Sequence, residues 1–179
     1  MRRLVADFTV IPSEVDERLE PGPFARSIAA LAETKGRAVA ATQPGGVVLA
    51  ADTMVIIDDQ ALGKPVDDDD ARAMLRRLRG RSHDVITGIV VIRAPRGPVS
   101  VATAVTQVLM AEYSDALMES YVASGAPRDK AGAYAIQDLG GALVAGLVGS
   151  YSNVVGLPLG ATAGLLQAAG VPVIATAWS

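Results

Sequence analysis

The sequence predicts an α/β domain with a mixed, twisted sheet flanked by helices. Apolar residues recur at helical spacing in some segments and form short β-branched runs in others, so strands and helices alternate along the chain. Two β-branched runs, residues 83–92 and 99–110, are joined by Ala-Pro-Arg-Gly-Pro, which is typical of a hairpin. A hairpin requires antiparallel neighbours, so we expect a mixed sheet. No repeat or linker interrupts the 179 residues, and we expect one domain over residues 1–179.

The first third of the chain contains a predicted strand, a predicted helix and a long apolar run. Residues 8–12 (FTVIP) are rich enough in β-branched residues to form a strand. From Phe24 to about Ala41, apolar residues recur every three or four positions, which predicts an amphipathic helix. The apolar run Val47–Ile57 is interrupted by Asp52-Thr53, and Asp58-Asp59 predicts a turn after it.

Four consecutive aspartates, Asp67–Asp70, resemble a metal site but are better explained as the start of a helix. They directly precede an amphipathic segment, where a helix needs a capping side chain and favours negative charge. This helix is expected to end near Arg79, with Gly80 as its left-handed stop. The nearby arginines then complement the helix dipole and do not form a nucleic-acid patch.

The second half of the chain continues the alternation. Ser114 is expected to cap a short helix that runs through Val122 and ends at Gly125. Residues 126–133 are predicted to be a loop. Residues 134–137 and 142–148 are predicted to be strands, and the last helix is expected to start near Pro158.

Composition excludes several classes of site and partner. There is no Cys and a single His, His83, which excludes thiolate nucleophiles, disulfides and Cys/His zinc sites. Any catalytic metal should therefore be a hard cation on oxygen ligands. We expect His83, which precedes an apolar strand, to be structural.

Charge and hydropathy also exclude partners. The net charge is -3 and no basic run is present, so we expect neither nucleic acid nor an anionic membrane as a partner. No apolar run approaches the ~18 residues of a membrane span, and the N-terminus does not resemble a signal peptide. A cytoplasmic location is therefore expected.

Asp52 is the most informative single residue. It lies among aliphatic residues, where an unpaired carboxylate would cost several kcal/mol of desolvation. A metal ion, a lysine or a position at a strand end beside a cleft would compensate this cost. Hydrogen bonds from nearby backbone N–H groups are an equally good structural explanation.

The lysines and one acidic loop provide further candidate site residues. Only three of the 16 basic residues are lysines, namely Lys35, Lys64 and Lys130. These positions are candidates for a compact point charge against phosphate oxygens, although three lysines could also remain by chance. Glu17, in an acidic loop with Glu14 and Asp16, could join Asp52 on a cation, and surface solvation explains the group equally well. No P-loop or G-x-G-x-x-G pattern is present.

Several motifs, taken in order, resemble the Maf family of nucleoside triphosphate pyrophosphatases. They are Ala51-Asp-Thr53, Leu62-Gly-Lys-Pro65, Ala73-Met-Leu75 with Gly80 and His83, Asp129-Lys-Ala-Gly-Ala-Tyr-Ala-Ile-Gln137 and Gly149-Ser-Tyr-Ser-Asn-Val-Val-Gly-Leu-Pro158. The resemblance runs from about Phe8 to Gln167. It implies an ITPase-like α/β fold, hydrolysis of a nucleotide between its α- and β-phosphates, a divalent cation (Mg²⁺ or Mn²⁺) and a homodimer.

The resemblance also implies roles for individual residues. Asp52 matches the catalytic acidic residue, which acts as the base for water or as a metal ligand, and Glu17 matches its acidic partner. Lys35 and Lys64 resemble the residues that contact phosphates, and Lys130 is assigned to substrate binding. Thr53 and Gln137 match positions that read the base in the branch acting on dTTP and UTP. We therefore expect a pyrimidine nucleotide, including modified ones, as the substrate.

Two departures from the family pattern lead to an alternative. The family begins with a strand and a Ser-x-Ser-Pro-Arg-Arg loop that holds the triphosphate, and here no Ser-x-Ser precedes Arg2-Arg3. The domain is thus expected to be short at its N-terminus. Asp138 stands where the family usually has Gly and adds negative charge near the proposed base pocket. The alternative is a catalytically impaired relative that acts as a nucleotide-binding or septum-related regulatory protein.

Overall fold

The computed structural model describes residue 1, residues 4–19 and residues 21–173. Arg2-Arg3 lie outside the described residues. The elements, in chain order, are α1 (Phe24–Thr42), β1 (Val47–Ile57), β2 (Gln60–Leu62), α2 (Asp68–Leu78), β3 (Ser82–Arg93), β4 (Val99–Met110), α3 (Asp115–Ala123), β5 (Val144–Val148), α4 (Tyr151–Val154) and α5 (Leu159–Ala168). Two short 3₁₀ turns, Ala131–Ala133 and Leu139–Leu143, precede β5.

Five strands form one sheet in the order β2-β1-β3-β4-β5. β1 and β2 are antiparallel, with Val55 opposite Leu62, and the turn between them places Asp58 and Asp59 at positive φ. β4 and β5 are also antiparallel, and their register shifts at Leu109/Met110. The predicted α/β class, with helices and a sheet that contains antiparallel pairs, is confirmed.

The chain divides into two compact units. The first contains Met1–Asp52, Thr87–Ala104 and the chain from Gly156 onwards, and the second contains Thr53–Ile86 and Val105–Val155. In the first unit, α1 packs against β3 through Ala32, Ala40, Val90 and Ile92. The helix comes very close to the sheet there, because a Cβ at Gly88 would lie 2.6 Å from the Cα of Ala29.

The core of the second unit is formed by α2, α3 and the strands beside them. Leu75 and Leu78 of α2 and Met118 and Val122 of α3 belong to one buried cluster. Asp67 caps α2 by accepting a hydrogen bond from the Asp70 amide at 2.8 Å, and Ser114 caps α3 through the Leu117 amide at 3.2 Å. Both predicted caps are confirmed, so the acidic cluster is a helix start.

The predicted strand at residues 8–12 is wrong. The segment has no regular secondary structure, and the side chains of Phe8, Val10 and Ile11 are exposed. β-branched residues favour a strand only where a neighbouring strand supplies hydrogen bonds and packing. This segment is not one of the five strands of the sheet in the described part of the chain.

The predicted strand at residues 134–137 is also wrong. Tyr134 and Ala135 are buried, but their polar groups bond to the side chains of His83 and Tyr121 and the chain then turns at residues 136–137. The strand predicted at 142–148 exists but begins only at Val144, and the one-turn helix α4 was not predicted. None of the helices in the described ranges combines the length and the hydropathy that a membrane span requires.

Candidate active site

Three of the predicted site residues meet in the first unit. The Lys35 Nζ lies 2.5 Å from Asp52 Oδ1 and 2.8 Å from Glu17 Oε1. The side chains of Lys35 and Asp52 are only 14% and 10% exposed, whereas that of Glu17 is 65% exposed. One ammonium therefore joins a buried and an exposed carboxylate, and we call Glu17, Lys35 and Asp52 the carboxylate–lysine cluster.

A glycine next to Lys35 allows this geometry. A Cβ at Gly36 would lie 3.0 Å from Ile92 Cδ1 and 3.1 Å from Ala50 Cβ, tighter than most van der Waals contacts. Without a side chain at this position, α1 can lie close to the sheet. Lys35 then reaches Asp52, which is two residues beyond Ala50 on β1.

Lys35 carries a stable positive charge. Burial alone would lower the pKa of Lys35, but the hydrogen bonds and charges of Asp52 and Glu17 together outweigh it and raise this pKa above its ordinary value. The ammonium thus compensates the buried Asp52 carboxylate, which was one of the explanations left open by the sequence.

The second carboxylate oxygen of Asp52 points to a further ligand. Asp52 Oδ2 is buried and has no hydrogen-bond partner among the described residues. Buried polar atoms in proteins are almost always satisfied, so an unpartnered one requires an explanation.

The cluster fits a magnesium-like ion held largely by its substrate. Within the described ranges, no three His, Cys, Asp or Glu side chains are grouped so as to hold a metal by themselves. Mg²⁺ commonly uses one or two carboxylates together with substrate phosphates and waters. Asp52 and Glu17 supply that number of hard oxygen ligands. Asp16, from the same acidic loop, instead pairs with Arg18 at 3.0 Å.

Lys35 also lines a cleft of about 530 Å³ in the first unit. The segment from Asp7 to Ile11 and the first half of β1, from Val47 to Ala51, form much of its lining. The segment mispredicted as a strand therefore borders the cleft that Lys35 faces.

The other predicted site residues belong to the second unit, where the loops that carry Lys64 and Lys130 are joined by a hydrogen bond. The Gly132 amide donates to the Gly63 carbonyl at 2.9 Å, which holds the Lys130 loop beside the Lys64 loop. Lys130 Nζ lies 2.8 Å from the Asp129 carboxylate. The hydrogen bond from Lys130, with a smaller effect of the Lys64 charge, lowers the pKa of Asp129. The sequence analysis quoted Asp129 only as the first residue of a motif and gave it no role, although its position next to Lys130 was a usable signal.

Gln137 and Thr53 also lie in the second unit. Gln137 is exposed on a turn, and Thr53 is half-buried on β1. Two hydrogen bonds fix the turn: the Ala135 amide donates to Tyr121 Oη at 3.1 Å, and the Gly141 amide donates to the Asp138 carbonyl at 2.9 Å. The exposed Gln137 side chain is thus presented on a fixed support.

Comparison with known proteins identifies related sequences. A family profile described as "Maf-like protein" matches residues 1–169. A dTTP/UTP pyrophosphatase of Anaeromyxobacter dehalogenans (strain 2CP-C) is 50% identical over 167 residues, which cover 92% of this chain and 84% of that protein. A protein of the same name from Myxococcus xanthus (strain DK1622) is 48% identical, and the match covers 93% of this chain and 84% of that protein. Another from Moorella thermoacetica is 47% identical, and the match covers 97% of this chain and 90% of that protein.

Proposed function

The chain belongs to the Maf family, and we propose that it is a nucleoside triphosphate pyrophosphatase acting on dTTP and UTP. Water attacks the α-phosphorus, the bond to the bridging oxygen of the β-phosphate breaks, and the products are the nucleoside monophosphate and pyrophosphate. The names of relatives that are 41–50% identical support this activity. The observation on this chain that carries the proposal is the carboxylate–lysine cluster with its unpartnered oxygen.

The cluster has the parts that phosphoryl chemistry needs. Asp52 Oδ2, which has no partner within the described ranges, can accept a proton from the attacking water or bind a metal ion. Lys35 supplies a fixed positive charge where negative charge grows in the transition state. A divalent cation, Mg²⁺ or Mn²⁺, would be held by Asp52 and Glu17 and would neutralise phosphate charge when bound.

The residues of the second unit are assigned to substrate recognition. Lys64 and Lys130 supply two ammonium groups on neighbouring loops for phosphate oxygens. Gln137 and Thr53 read the base, and the Gln137 amide can both donate to and accept from the edge of uracil or thymine.

We also propose that the protein is a cytoplasmic homodimer. The family resemblance implies the dimer. Exposed apolar side chains near the end of β5 support association, because Val148 is 75% exposed and Tyr151 and Val155 are 49% and 44% exposed. Light scattering after gel filtration should give twice the 18.4 kDa of the chain, and a monomer at all concentrations would contradict the dimer.

A nucleotide panel with product analysis tests the function. With Mg²⁺ or Mn²⁺, dTTP and UTP should give the monophosphate and pyrophosphate, faster than dCTP or purine triphosphates, and a chelator should stop the reaction. A diphosphate and inorganic phosphate as products would contradict the proposed bond cleavage. Calorimetric binding of dTTP without turnover would support the regulatory alternative instead.

A further inference from the structure

The single histidine of the chain is buried and bonded to one tyrosine. His83, the second residue of β3, is 3% exposed, and its Nε2 lies 2.8 Å from the hydroxyl oxygen of Tyr134. The two rings meet edge to face, with centroids 5.4 Å apart. Tyr134 stands three residues before Gln137 in the chain.

Both partners are neutral near neutral pH. Burial lowers the pKa of His83 to about 4 and raises the pKa of Tyr134 well above its ordinary value. The hydrogen bond therefore does not switch in the physiological range, as expected of a fixed support.

Tyr134 begins a turn that is anchored at several further points. Ala135 is tied to the Tyr121 hydroxyl, and Gly140 packs so closely that a Cβ there would lie 2.7 Å from the Ala135 carbonyl oxygen and 2.8 Å from Tyr121 Oη. Residues 132–135 and 140 are buried, whereas residues 137–139 between them are exposed. The turn thus has a buried base and an exposed tip, and Gln137 is at the tip.

We propose that His83, through Tyr134, is a positioning residue that sets the Gln137 turn and thereby the discrimination of uracil and thymine from cytosine. This inference rests on the proposed function and extends it to a residue that contacts no substrate. Cytosine presents an amino donor where uracil and thymine present a carbonyl acceptor. A fixed Gln amide tells these two apart, and an amide on a loosened turn does so poorly.

Two buried tyrosines provide a matched pair of variants. Tyr134 and Tyr113 are both 5% exposed and belong to the same cluster of buried residues. The Tyr113 hydroxyl donates to the Leu75 carbonyl at 2.6 Å, on α2 rather than on the Gln137 turn. Tyr134→Phe and Tyr113→Phe each remove one buried hydrogen bond, and they are therefore expected to lower the melting temperature to a similar degree.

The two variants should differ in nucleotide preference and in the amide hydrogen exchange of the Gln137 turn. For Tyr134→Phe we expect KM for dTTP to rise by roughly three- to tenfold with kcat within about twofold of wild type, and the preference for dTTP over dCTP to fall. Amide hydrogen exchange in residues 135–141 should accelerate. Tyr113→Phe should leave the preference and the exchange of these residues unchanged.

Equal effects of the two variants on the preference and on exchange would overturn the inference. Should Tyr134→Phe not fold, His83→Gln is tested in its place. Glutamine keeps a hydrogen-bonding group toward Tyr134, so we expect an intermediate loss of the preference for dTTP over dCTP. Wild-type preference and wild-type amide exchange in His83→Gln would likewise overturn the inference. Should the wild type release no pyrophosphate, the proposed function fails, and exchange in residues 135–141 alone then supports or overturns the positioning role.

Discussion

Lys35 binds two carboxylates at once, and this arrangement determines what each partner does. The buried Asp52 depends on the ammonium for compensation, whereas the exposed Glu17 remains hydrated. The second oxygen of Asp52, which has no partner among the described residues, is left available for chemistry. The ion pair between Lys35 and Asp52 thus both stabilises the fold and positions the carboxylate of the candidate site.

Replacement of Lys35 by Met should be costly for stability. It leaves the Asp52 carboxylate buried and uncompensated, which should lower the free energy of unfolding by about 2 kcal/mol, less than for a fully buried pair because the cluster is partly solvated. Urea unfolding measures this, and Lys35→Met/Asp52→Asn should recover part of the loss. The control is Arg37→Met, whose exposed pair with Glu33 should contribute under ~1 kcal/mol.

His83 should make the protein sensitive to mild acid. Its pKa is about 4 in the fold against 6.5 in the unfolded chain, so below pH 6.5 the unfolded state binds more protons. The contribution of His83 to stability is therefore retained above about pH 6.5 and lost as the pH falls toward 4. Between pH 7 and pH 5 we expect the free energy of unfolding to decrease by about 2 kcal/mol. The midpoint of urea unfolding, measured from pH 7 to pH 5, should decrease in the wild type but not in His83→Gln. A parallel pH dependence in both proteins would refute this assignment.

The contact between helix α1 and strand β3 depends on one glycine. Gly88 faces the backbone of α1, and Gly88→Ala would force helix and sheet apart, so we expect it to lower the free energy of unfolding by about 2–3 kcal/mol. Gly164 in α5 has open space around its Cβ position. Gly164→Ala should therefore raise stability by about 0.5–1 kcal/mol through helix propensity. Thermal unfolding of both variants checks these two predictions. An unchanged stability of Gly88→Ala would contradict the described packing of α1 on β3.

The elements that sequence analysis predicted correctly are those with local signals. The predicted helix over residues 24–41 corresponds to α1, and the predicted turn at Asp58-Asp59 and caps at Asp67 and Ser114 are present. Each is determined by side-chain periodicity or by a capping group within a few residues. Residues 8–12 and 134–137 were mispredicted because a strand depends on partners distant in sequence, which composition does not specify.

The candidate site was predictable from the sequence in part. An isolated carboxylate among aliphatic residues indicated that Asp52 needs compensation, with a lysine as one of several explanations, but the sequence did not indicate which residue supplies it. The contact itself spans 17 residues between Lys35 and Asp52 and depends on the close approach allowed by Gly36. The support of the Gln137 turn was not predictable, because His83 and Tyr134 are 51 residues apart and neither carries a local signal for the other.

The turnover number of Asp52→Asn in the pyrophosphate-release assay with dTTP and Mg²⁺ shows whether hydrolysis takes place at the carboxylate–lysine cluster. Asparagine keeps the shape of the side chain but can neither take a proton from water nor bind a cation as a carboxylate does, so kcat should fall by at least ~100-fold. Glu33→Gln, which alters an exposed ion pair on α1, serves as the control and should keep wild-type kcat. Turnover of Asp52→Asn within a few-fold of wild type would contradict the placement of hydrolysis at the carboxylate–lysine cluster.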